Sequence, residues 1–282
     1  MNPLFVMWFL VSMSLQRFVS IPNVMVGLMV GLRGRFHGLP LRPTTDGAIT
    51  HDRRRLGVAP LVKWFQWLAD SIQGKPMFHG LCVWIVDGTT LSLPDTAKNE
   101  AVFGKRKASR GKTAFPRLKL TGLLEGYSRR MKTVRIFPDR HSELRGFRTL
   151  IEGLAEGDLL LGDRHFHSFT LAADLMRRKV DFLFRIPKNM KIKVEKILGR
   201  GDFVGALTYR CHHEDLVGLP NVEILSKGPR KTKVRLLVRV LDYQLEGGES
   251  SRLITSLVDP IEYESMELVL LYHRRWDVEL AY

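Results

Sequence analysis

The sequence is poor in cysteine. Its two cysteines, Cys82 and Cys211, lie far apart and form neither a CxxC pair nor a cysteine–histidine spacing typical of zinc ligands. This scarcity argues against a disulfide framework and against a structural zinc site. It also fits a reducing, cytoplasmic setting.

The chain also lacks an apolar run long enough to cross a bilayer. Residues 1–15 are almost wholly apolar and residues 21–32 form a second apolar stretch, but a spanning helix needs about 20 such residues. The start has neither the positive charge nor the small-residue cleavage site of a signal peptide. We therefore expect buried helices and no membrane partner, with a membrane anchor as the alternative.

Acidic residues are scarce relative to basic ones. Lys and Arg total 44, Asp and Glu total 29, and the formal charge is +15, while 45% of the residues are hydrophobic. This composition indicates a folded basic protein and not a disordered tail. The charge favours a polyanionic partner, because neutralising phosphates releases condensed counterions. Nucleic acid is the preferred partner; an anionic membrane, or no such partner at all, is the alternative.

Hydrophobic periodicity predicts a helical region over residues 1–75. Within it, Leu61, Trp64, Phe65 and Leu68 recur at helical spacing, and we expect this stripe to be part of the core. The region is followed by a change to short β-prone runs, which begins near Leu81.

Residues 76–187 combine strands with helices. Adjacent strands followed by strand–helix alternation predict a mixed α/β sheet with helices packed on it. The predicted strands are 81–86, 118–124, 131–137, 159–161 and 180–186, and the predicted helices are 143–154 and 168–179.

The remaining sequence interrupts and then resumes this pattern. Residues 188–250 begin with a Lys-rich segment and contain candidate strands at 203–210, 222–225 and 234–242, which predicts a β-rich insertion. Residues 251–282 resume the core with a strand at 252–257 and a closing helix at 261–282.

Two aspartates stand where predicted strands end. Asp87 follows the apolar run 83–86 and precedes Gly88, so its carboxylate is expected at a sheet edge where the chain turns. Asp163 repeats this arrangement after the run 159–162 and before a helix. Two acids are thereby placed on one sheet, although a turn-forming or helix-capping Asp explains either one alone equally well.

Three polar residues share one face of the predicted last helix. Tyr272, Arg275 and Glu279 fall at positions i, i+3 and i+7. An Arg offers a bidentate fork to phosphate and a Glu can join a metal shell. The alternative is an ordinary ion pair between Arg275 and Glu279 on a solvated helix.

Together, four motifs resemble transposases of insertion-sequence family four. The resemblance covers roughly residues 46–282. Asp87, Asp163 and Glu279 match the family's D, D and E in order, and Tyr272, Arg275 and Glu279 match the first three letters of its Y-R-E-K signature. The motifs are Asp87-Gly-Thr-Thr-Leu-Ser-Leu-Pro-Asp95, Gly111-Lys-Thr-Ala-Phe-Pro116, Gly162-Asp-Arg164 and Tyr272-x-x-Arg275-x-x-x-Glu279.

Two features depart from the family pattern. The Lys of the signature would lie at position 286, beyond Tyr282, so a C-terminally truncated copy is expected. His165 occupies a place where relatives often carry a small residue or Asn.

The resemblance implies an RNase H-like fold and a DDE enzyme that performs cut-and-paste DNA transposition through a hairpin intermediate. Three converging carboxylates would repel one another without cations between them, which implies two Mg²⁺ or Mn²⁺ ions on Asp87, Asp163 and Glu279. The expected reaction is metal-dependent phosphodiester cleavage and strand transfer at transposon ends. By the same resemblance, Arg275 and Tyr272 would bind the phosphate near the cleaved end. Double-stranded DNA is the expected partner, with a dimer in the DNA complex and no small-molecule cofactor.

Basic clusters flank the predicted site and are natural phosphate contacts, although solvated loops explain each one singly. The candidate DNA-binding residues are Lys105, Arg106, Lys107, Arg110, Lys112 and Arg164, with further basic positions at Arg129, Arg130, Lys132, Lys188, Lys191, Lys193 and Lys196.

Two other functions stay open at this point. The chain could be a catalytically incomplete DNA-binding remnant of a transposase, or an RNase H-like nuclease that cuts nucleic acid without preference for an element's ends. A reading frame that continues past Tyr282 beside terminal inverted repeats would favour the active transposase.

Overall fold

The computed structural model describes residues 2–33, 45–108, 111–139, 149–212, 222–245 and 250–276. The chain divides into two compact units, Met1–Leu68 and Ala69–Tyr282. Each unit is described by itself below.

The first unit is helical, as the sequence predicts. Asn2 caps the first helix by accepting a hydrogen bond from the Leu4 amide, and Thr45 caps the third in the same way through Ala48. No described helix is long and apolar enough to cross a membrane. The helices are α1 (Pro3–Leu15), α2 (Ile21–Arg33), α3 (Asp46–Leu56) and α4 (Ala59–Asp70). The core is formed by residues of α1, α2 and α3: Phe5, Phe9, Val24, Met25, Met29 and Ile49.

The prediction that the apolar stripe of α4 belongs to the core is wrong. Phe65 is 37% exposed and Leu68 is 45% exposed, and Leu61 and Trp64 are half-buried. Trp64 makes an edge contact with Trp8, at 5.8 Å between ring centroids. The core of this unit is formed chiefly by α1 and α2. Helical spacing identifies the apolar face of α4 but not whether another element covers it.

Among the residues that the structure describes, the second unit is built on a mixed sheet of eleven strands. Its first part has the order β6–β5–β2–β7–β8, in which β6, β5 and β2 are antiparallel and β2, β7 and β8 are parallel. This is the α/β arrangement expected for an RNase H-like core. The strands of this part are β1 (Pro76–Phe78), β2 (Leu81–Ser92), β5 (Arg117–Glu125), β6 (Arg130–Pro138), β7 (Asp158–Gly162) and β8 (Asp181–Ile186).

The strands of the β-rich region 188–250 continue the same sheet. β13 (Ser251–Thr255) pairs with β8 on one side and with the C-terminal half of β12 (Thr232–Tyr243) on the other. β10 (Asp202–Cys211) pairs along β12, and β9 (Lys193–Gly199) lies at the edge beyond it. β11 (Val222–Lys227) pairs with the N-terminal half of β12. The insertion is therefore continuous with the core and is not a separate layer.

Helices cover the sheet on two faces. Alternate residues of the central strands point to opposite faces, as pleating requires. Val86 and Leu160 pack in the cluster that contains α6 (Phe169–Arg177), whereas Val83, Ile85 and Leu161 pack in the cluster that contains α7 (Ser265–His273). This alternation decides which helix each site residue meets.

Several elements differ from the sequence prediction. The α-helix predicted to begin at 261 begins at Ser265 and ends at His273, and a 3₁₀ turn continues it through 276. Of the predicted helix 143–154, the described part is a turn and a 3₁₀ helix, Ile151–Gly153, and the remainder lies outside the described residues. Elements absent from the prediction are α5 (Ala97–Phe103), the short pair β3 (Lys107–Ala108) and β4 (Gly111–Lys112), and strands β1 and β9.

Candidate active site

Asp87 lies within strand β2 and not at its end. The expectation that the chain turns there is wrong, because β5 pairs with β2 as far as Ser92. The parallel pairing of β2 with β7, however, stops at Val86 opposite Gly162. Asp87 is therefore the first residue of β2 beyond the paired stretch. Its Oδ1 accepts a hydrogen bond from the Gly88 amide at 2.8 Å.

Asp163 occupies the matching position after strand β7. Val86 pairs with Gly162, so the next residues along the two parallel strands, Asp87 and Asp163, lie side by side, with their backbones about 5 Å apart. Both acids continue the alternation that points Ile85 and Leu161 toward α7. The Oδ1 atom of Asp163 is buried and has no hydrogen-bond partner among the described residues. The structure thus brings together two of the three predicted acids.

Arg275 reaches Asp87 from the turn that follows α7. Its Nη1 donates a hydrogen bond to Asp87 Oδ2 at 2.8 Å, and its side chain is only 5% exposed. The guanidinium also lies 4.9 Å from the centre of the Trp276 ring and 5.8 Å from that of Tyr272. The side chain of Arg275 thus pairs with Asp87 of β2. It is buried, whereas the alternative of an ordinary ion pair with Glu279 required a solvated helix face.

Tyr272 is a buried phenol beside this ion pair. It is 3% exposed, and its hydroxyl has no hydrogen-bond partner among the described residues. Burial, together with the charge of Asp163, raises the pKa of Tyr272 above its ordinary range. The phenol therefore stays protonated at neutral pH and can act as a hydrogen-bond donor to an anion.

The guanidinium of Arg275 is held in its charged form. Burial lowers the pKa of Arg275, but interactions with Tyr272, Asp87 and Asp163 outweigh this effect and the pKa is raised. Its Nε is buried without a hydrogen-bond partner among the described residues. One fixed positive charge therefore stands next to both carboxylates.

Comparison with known proteins identifies the family. The family described as transposase DDE domain matches residues 78–282, which include both aspartates and the segment 272–279. The chain belongs to this family.

Two curated relatives agree with this membership and with the resemblance to insertion-sequence family four. Transposase InsG for insertion sequence element IS4, from Escherichia coli strain K12, is 25% identical over 282 residues, which are 98% of this chain and 59% of that protein. The putative transposase InsZ of the same organism is 26% identical over 194 residues, which are 67% of this chain and 64% of InsZ. The chain thus spans about three fifths of the length of InsG.

A solved structure confirms the predicted fold class. The piggyBac transposase, in a synaptic complex with hairpin DNA, superposes with a TM-score of 0.51 at 11% identity, covering 99% of this chain and 57% of that one. The likeness shows that this DDE family member shares the RNase H-like transposase fold.

DDE transposase domains generally depend on divalent metal ions. The third predicted acid of this family member, Glu279, lies outside the described residues, as does Arg110. The structure describes the backbone of Lys107 and Lys112 in β3 and β4 but not their side chains. The three-acid arrangement and these three basic positions stay predictions.

Some of the predicted phosphate contacts are engaged within the protein. Lys105 Nζ lies 2.7 Å from Asp95 Oδ1 and 3.6 Å from Glu100 Oε2, and the side chain is 15% exposed. Arg106 is more exposed, and its Nε lies 3.3 Å from the buried carboxylate of Asp139. These acids compensate Lys105 and Arg106, and local sequence does not reveal the partner of Arg106 because Asp139 is distant in the chain.

Two more basic positions have other surroundings. Lys132 donates to the carbonyls of Ala69 and Ile72 at the end of α4, at 3.0 and 2.9 Å, so it stabilises that terminus. Arg164, next to Asp163, is exposed at the site. His165 Nδ1 lies 3.7 Å from Asp163 Oδ2. Arg164 is therefore an exposed basic residue directly beside Asp163.

Proposed function

We propose that this chain is the catalytic core of a DNA transposase that cleaves phosphodiester bonds at transposon ends and transfers the freed strand. The observation that carries the proposal is that Asp87 and Asp163 lie side by side on two parallel strands and face the Tyr272–Arg275 turn. Two carboxylates at one sheet edge beside a guanidinium suit phosphoryl transfer, which depends on positioning and charge stabilisation.

The donor set fits two divalent ions, Mg²⁺ or Mn²⁺. Carboxylate oxygens are the ligands these ions prefer, and Asp163 Oδ1 is a buried oxygen without a hydrogen-bond partner among the described residues. Asp87 and Asp163 would hold the ions, with Glu279 as the third acid. When bound, such ions activate a water or a 3′-hydroxyl and stabilise the leaving oxygen of an in-line displacement.

The remaining site residues act on charge and orientation. Arg275 neutralises Asp87 through their 2.8 Å hydrogen bond and fixes the carboxylate's direction. A phosphate that enters the site offers the same guanidinium a second anionic partner, and the protonated Tyr272 hydroxyl can donate to it. We propose that both residues bind the phosphate at the cleaved end.

The proposed partners are double-stranded DNA, as transposon end and as target, and a second copy of the chain in the DNA complex. The net charge of +15 supports a DNA partner. The solved relative is itself a synaptic complex with hairpin DNA. The proposal requires no small-molecule cofactor.

The test is cleavage of the element's own end. The chain, and a version extended past Tyr282, are incubated with a duplex that carries the terminal inverted repeat and with a scrambled duplex. The proposal predicts breaks at the repeat boundary that need Mg²⁺ or Mn²⁺ and that stop with a chelator. Equal cutting of both duplexes would instead identify a nuclease without end specificity, and binding without cutting by either version would identify a DNA-binding remnant.

A further inference from the structure

A second basic site lies at the distal end of the insertion. The C-terminal end of β10 and the turn between β11 and β12 enclose a surface cavity of about 630 Å³. Five of its eight lining residues are basic and none is acidic. The lining residues are Arg210, Ser226, Lys227, Gly228, Pro229, Arg230, Lys231 and Lys233.

Strand register brings like charges together in this cavity. Arg210 of β10 pairs directly with Lys233 of β12, and Ser226 of β11 pairs with Lys233 on the other side. Residues directly opposite in a sheet project to the same face, and like charges in such positions repel each other. All five basic side chains are exposed. An anion between them would relieve this repulsion.

The next basic residue along the same face, Arg235, is neutralised by acids. Arg235 lies two residues after Lys233, and it contacts Glu195 of β9 at 3.1 Å and Glu223 of β11. No ion pair with an acid is formed by the five cavity cations among the described residues. Five cations without such an ion pair therefore lie together at the distal end of the insertion.

The cavity is remote from Asp87 and Asp163. Val240 of β12 lies level with Gly162 through the pairings of β12 with β13, β13 with β8 and β8 with β7. Asp163 follows Gly162 and is level with Leu241, so Lys233 lies eight residues away, toward the opposite end of the strands, and three strands away. With about 3.4 Å per residue and about 4.8 Å per strand, the separation is roughly 31 Å. That span corresponds to roughly nine base pairs of B-form DNA.

We propose that this cavity binds the phosphate backbone of duplex DNA at a distance from the carboxylates. The inference rests on the proposed function and adds a second contact to it. No aromatic residue lines the cavity, whereas sites for single strands combine basic grooves with aromatic stacking platforms. The lining also consists of Lys and Arg on a turn, which suits phosphate contacts and carries no base code.

The experiment compares two variants that lose the same charge. The cavity variant is Lys231→Gln/Lys233→Gln. The control is Arg177→Gln/Lys179→Gln, in which both cations already pair with acids, Asp174 and Glu156. Fluorescence anisotropy measures the affinity of the full chain for a 30-base-pair duplex and a 30-base single strand across NaCl concentrations, and circular dichroism verifies folding.

The proposal predicts that the cavity variant binds the duplex about tenfold more weakly at low salt. Its slope of log affinity against log salt should be shallower by about 1.8, since each lost phosphate contact removes about 0.9. The control should stay within twofold of the wild type. Equal losses in both variants, or no loss in the cavity variant, would overturn the proposal. An equal loss with the single strand would overturn the assignment to duplex DNA.

The same samples separate this inference from the proposed function. At saturating DNA the cavity variant should cleave the element's end at the wild-type rate, because the cavity is remote from the acids. If the cavity variant keeps the wild-type duplex affinity and the wild-type cleavage rate, the cavity proposal is wrong and the proposed function is unaffected. If the cavity variant binds the duplex more weakly but the wild type does not cleave, the cavity proposal is supported and the proposed cleavage function is contradicted.

Discussion

At the scale of single residues, the site is an arrangement of one cation between two acids. Arg275 donates to Asp87 and lies close enough to Asp163 for the two charges to interact. A guanidinium in this place substitutes for part of the positive charge that bound metal ions would supply. The proposed ions must therefore compete with Arg275 for the carboxylate oxygens.

The first prediction follows from that competition. Arg275→Gln removes the nearby positive charge and frees Asp87 Oδ2, so Mn²⁺ should bind the DNA-free chain about tenfold more tightly, as measured by isothermal titration calorimetry. Arg177→Gln, which breaks a 2.8 Å pair with Asp174 on α6, is the matched control and should leave the affinity unchanged. An Arg275→Gln protein with wild-type Mn²⁺ affinity would show that the guanidinium does not oppose metal binding.

A second prediction concerns His273, which precedes the Arg275 turn. Burial and the charges of Arg185 and Arg275 lower the pKa of His273 below 6.5. As pH falls through about 6.5, the unfolded chain takes up a proton more readily than the folded one, so this group's contribution to stability is lost on acidification. His273→Gln should therefore lose less stability than wild type between pH 7.5 and pH 5.5 in urea unfolding. Parallel losses in the two proteins would contradict this assignment.

At the scale of elements, the insertion is fastened to the segment that leads into α7. Arg239 of β12 is fully buried and forms a bidentate pair with Asp202 of β10, at 2.8 and 2.6 Å. The same guanidinium donates to the carbonyls of Asp259 and Tyr263, just before α7. One side chain thereby joins two insertion strands to the segment that leads to Tyr272 and Arg275.

The third prediction tests this connection. Asp202→Ala leaves the Arg239 charge buried without its carboxylate, which should lower the free energy of unfolding by about 3–5 kcal/mol. The double variant Asp202→Leu/Arg239→Met replaces the pair with apolar groups and should recover most of that loss. Chemical denaturation of the full chain measures both. A single variant as stable as wild type would mean that the pair does not hold these elements together.

The elements also show what the sequence could and could not predict. Strands with clear apolar runs, such as β2, β7 and β8, were predictable because both of their faces are buried. β9 was not, because it is an edge strand with almost no buried residue and a Lys-rich sequence typical of protected edges. The continuity of the insertion with the core sheet depends on the pairing of β12 with β13, and no local pattern encodes such a pairing.

The same limit applies to the candidate site. The positions of Asp87 and Asp163 followed from local sequence, since apolar runs lead directly into each of them. The hydrogen bond of Arg275 to Asp87 joins residues 188 positions apart in the sequence. The ion pair of Arg106 with Asp139 also joins residues that are distant in the sequence. Compensation of charge is a property of the folded surface, so the predicted basic clusters could not be separated into engaged and available residues beforehand.

At the scale of the whole molecule, some basic residues are paired with acidic residues and others are not, and the two kinds lie in different regions. Around β5 and β6, three cations surround the one buried carboxylate of Asp139, whereas the distal end of the insertion carries cations that have no acid among the lining residues. The net charge of +15 alone therefore does not locate the DNA. Its path is proposed to run between the paired acids and the distal cavity, which is consistent with a protein that contacts an extended duplex.

The central claim is that Asp87 and Asp163 together form the site of metal-dependent DNA cleavage. The most direct measurement is cleavage of the element's own end by wild type, Asp87→Asn, Asp163→Asn and Asp181→Asn. Asp181 begins β8 at the opposite end of the parallel strands, where it accepts a hydrogen bond from Ser256 that an asparagine can also accept. It is the matched control for the loss of one acid from this sheet.

The account predicts that wild type and Asp181→Asn cleave in Mg²⁺ or Mn²⁺ and stop with a chelator. Asp87→Asn and Asp163→Asn should bind the DNA but cut at least a thousandfold more slowly, a change of about 4 kcal/mol in the barrier. Wild-type cleavage by either of these two variants, or an equal loss in Asp181→Asn, would contradict the assignment.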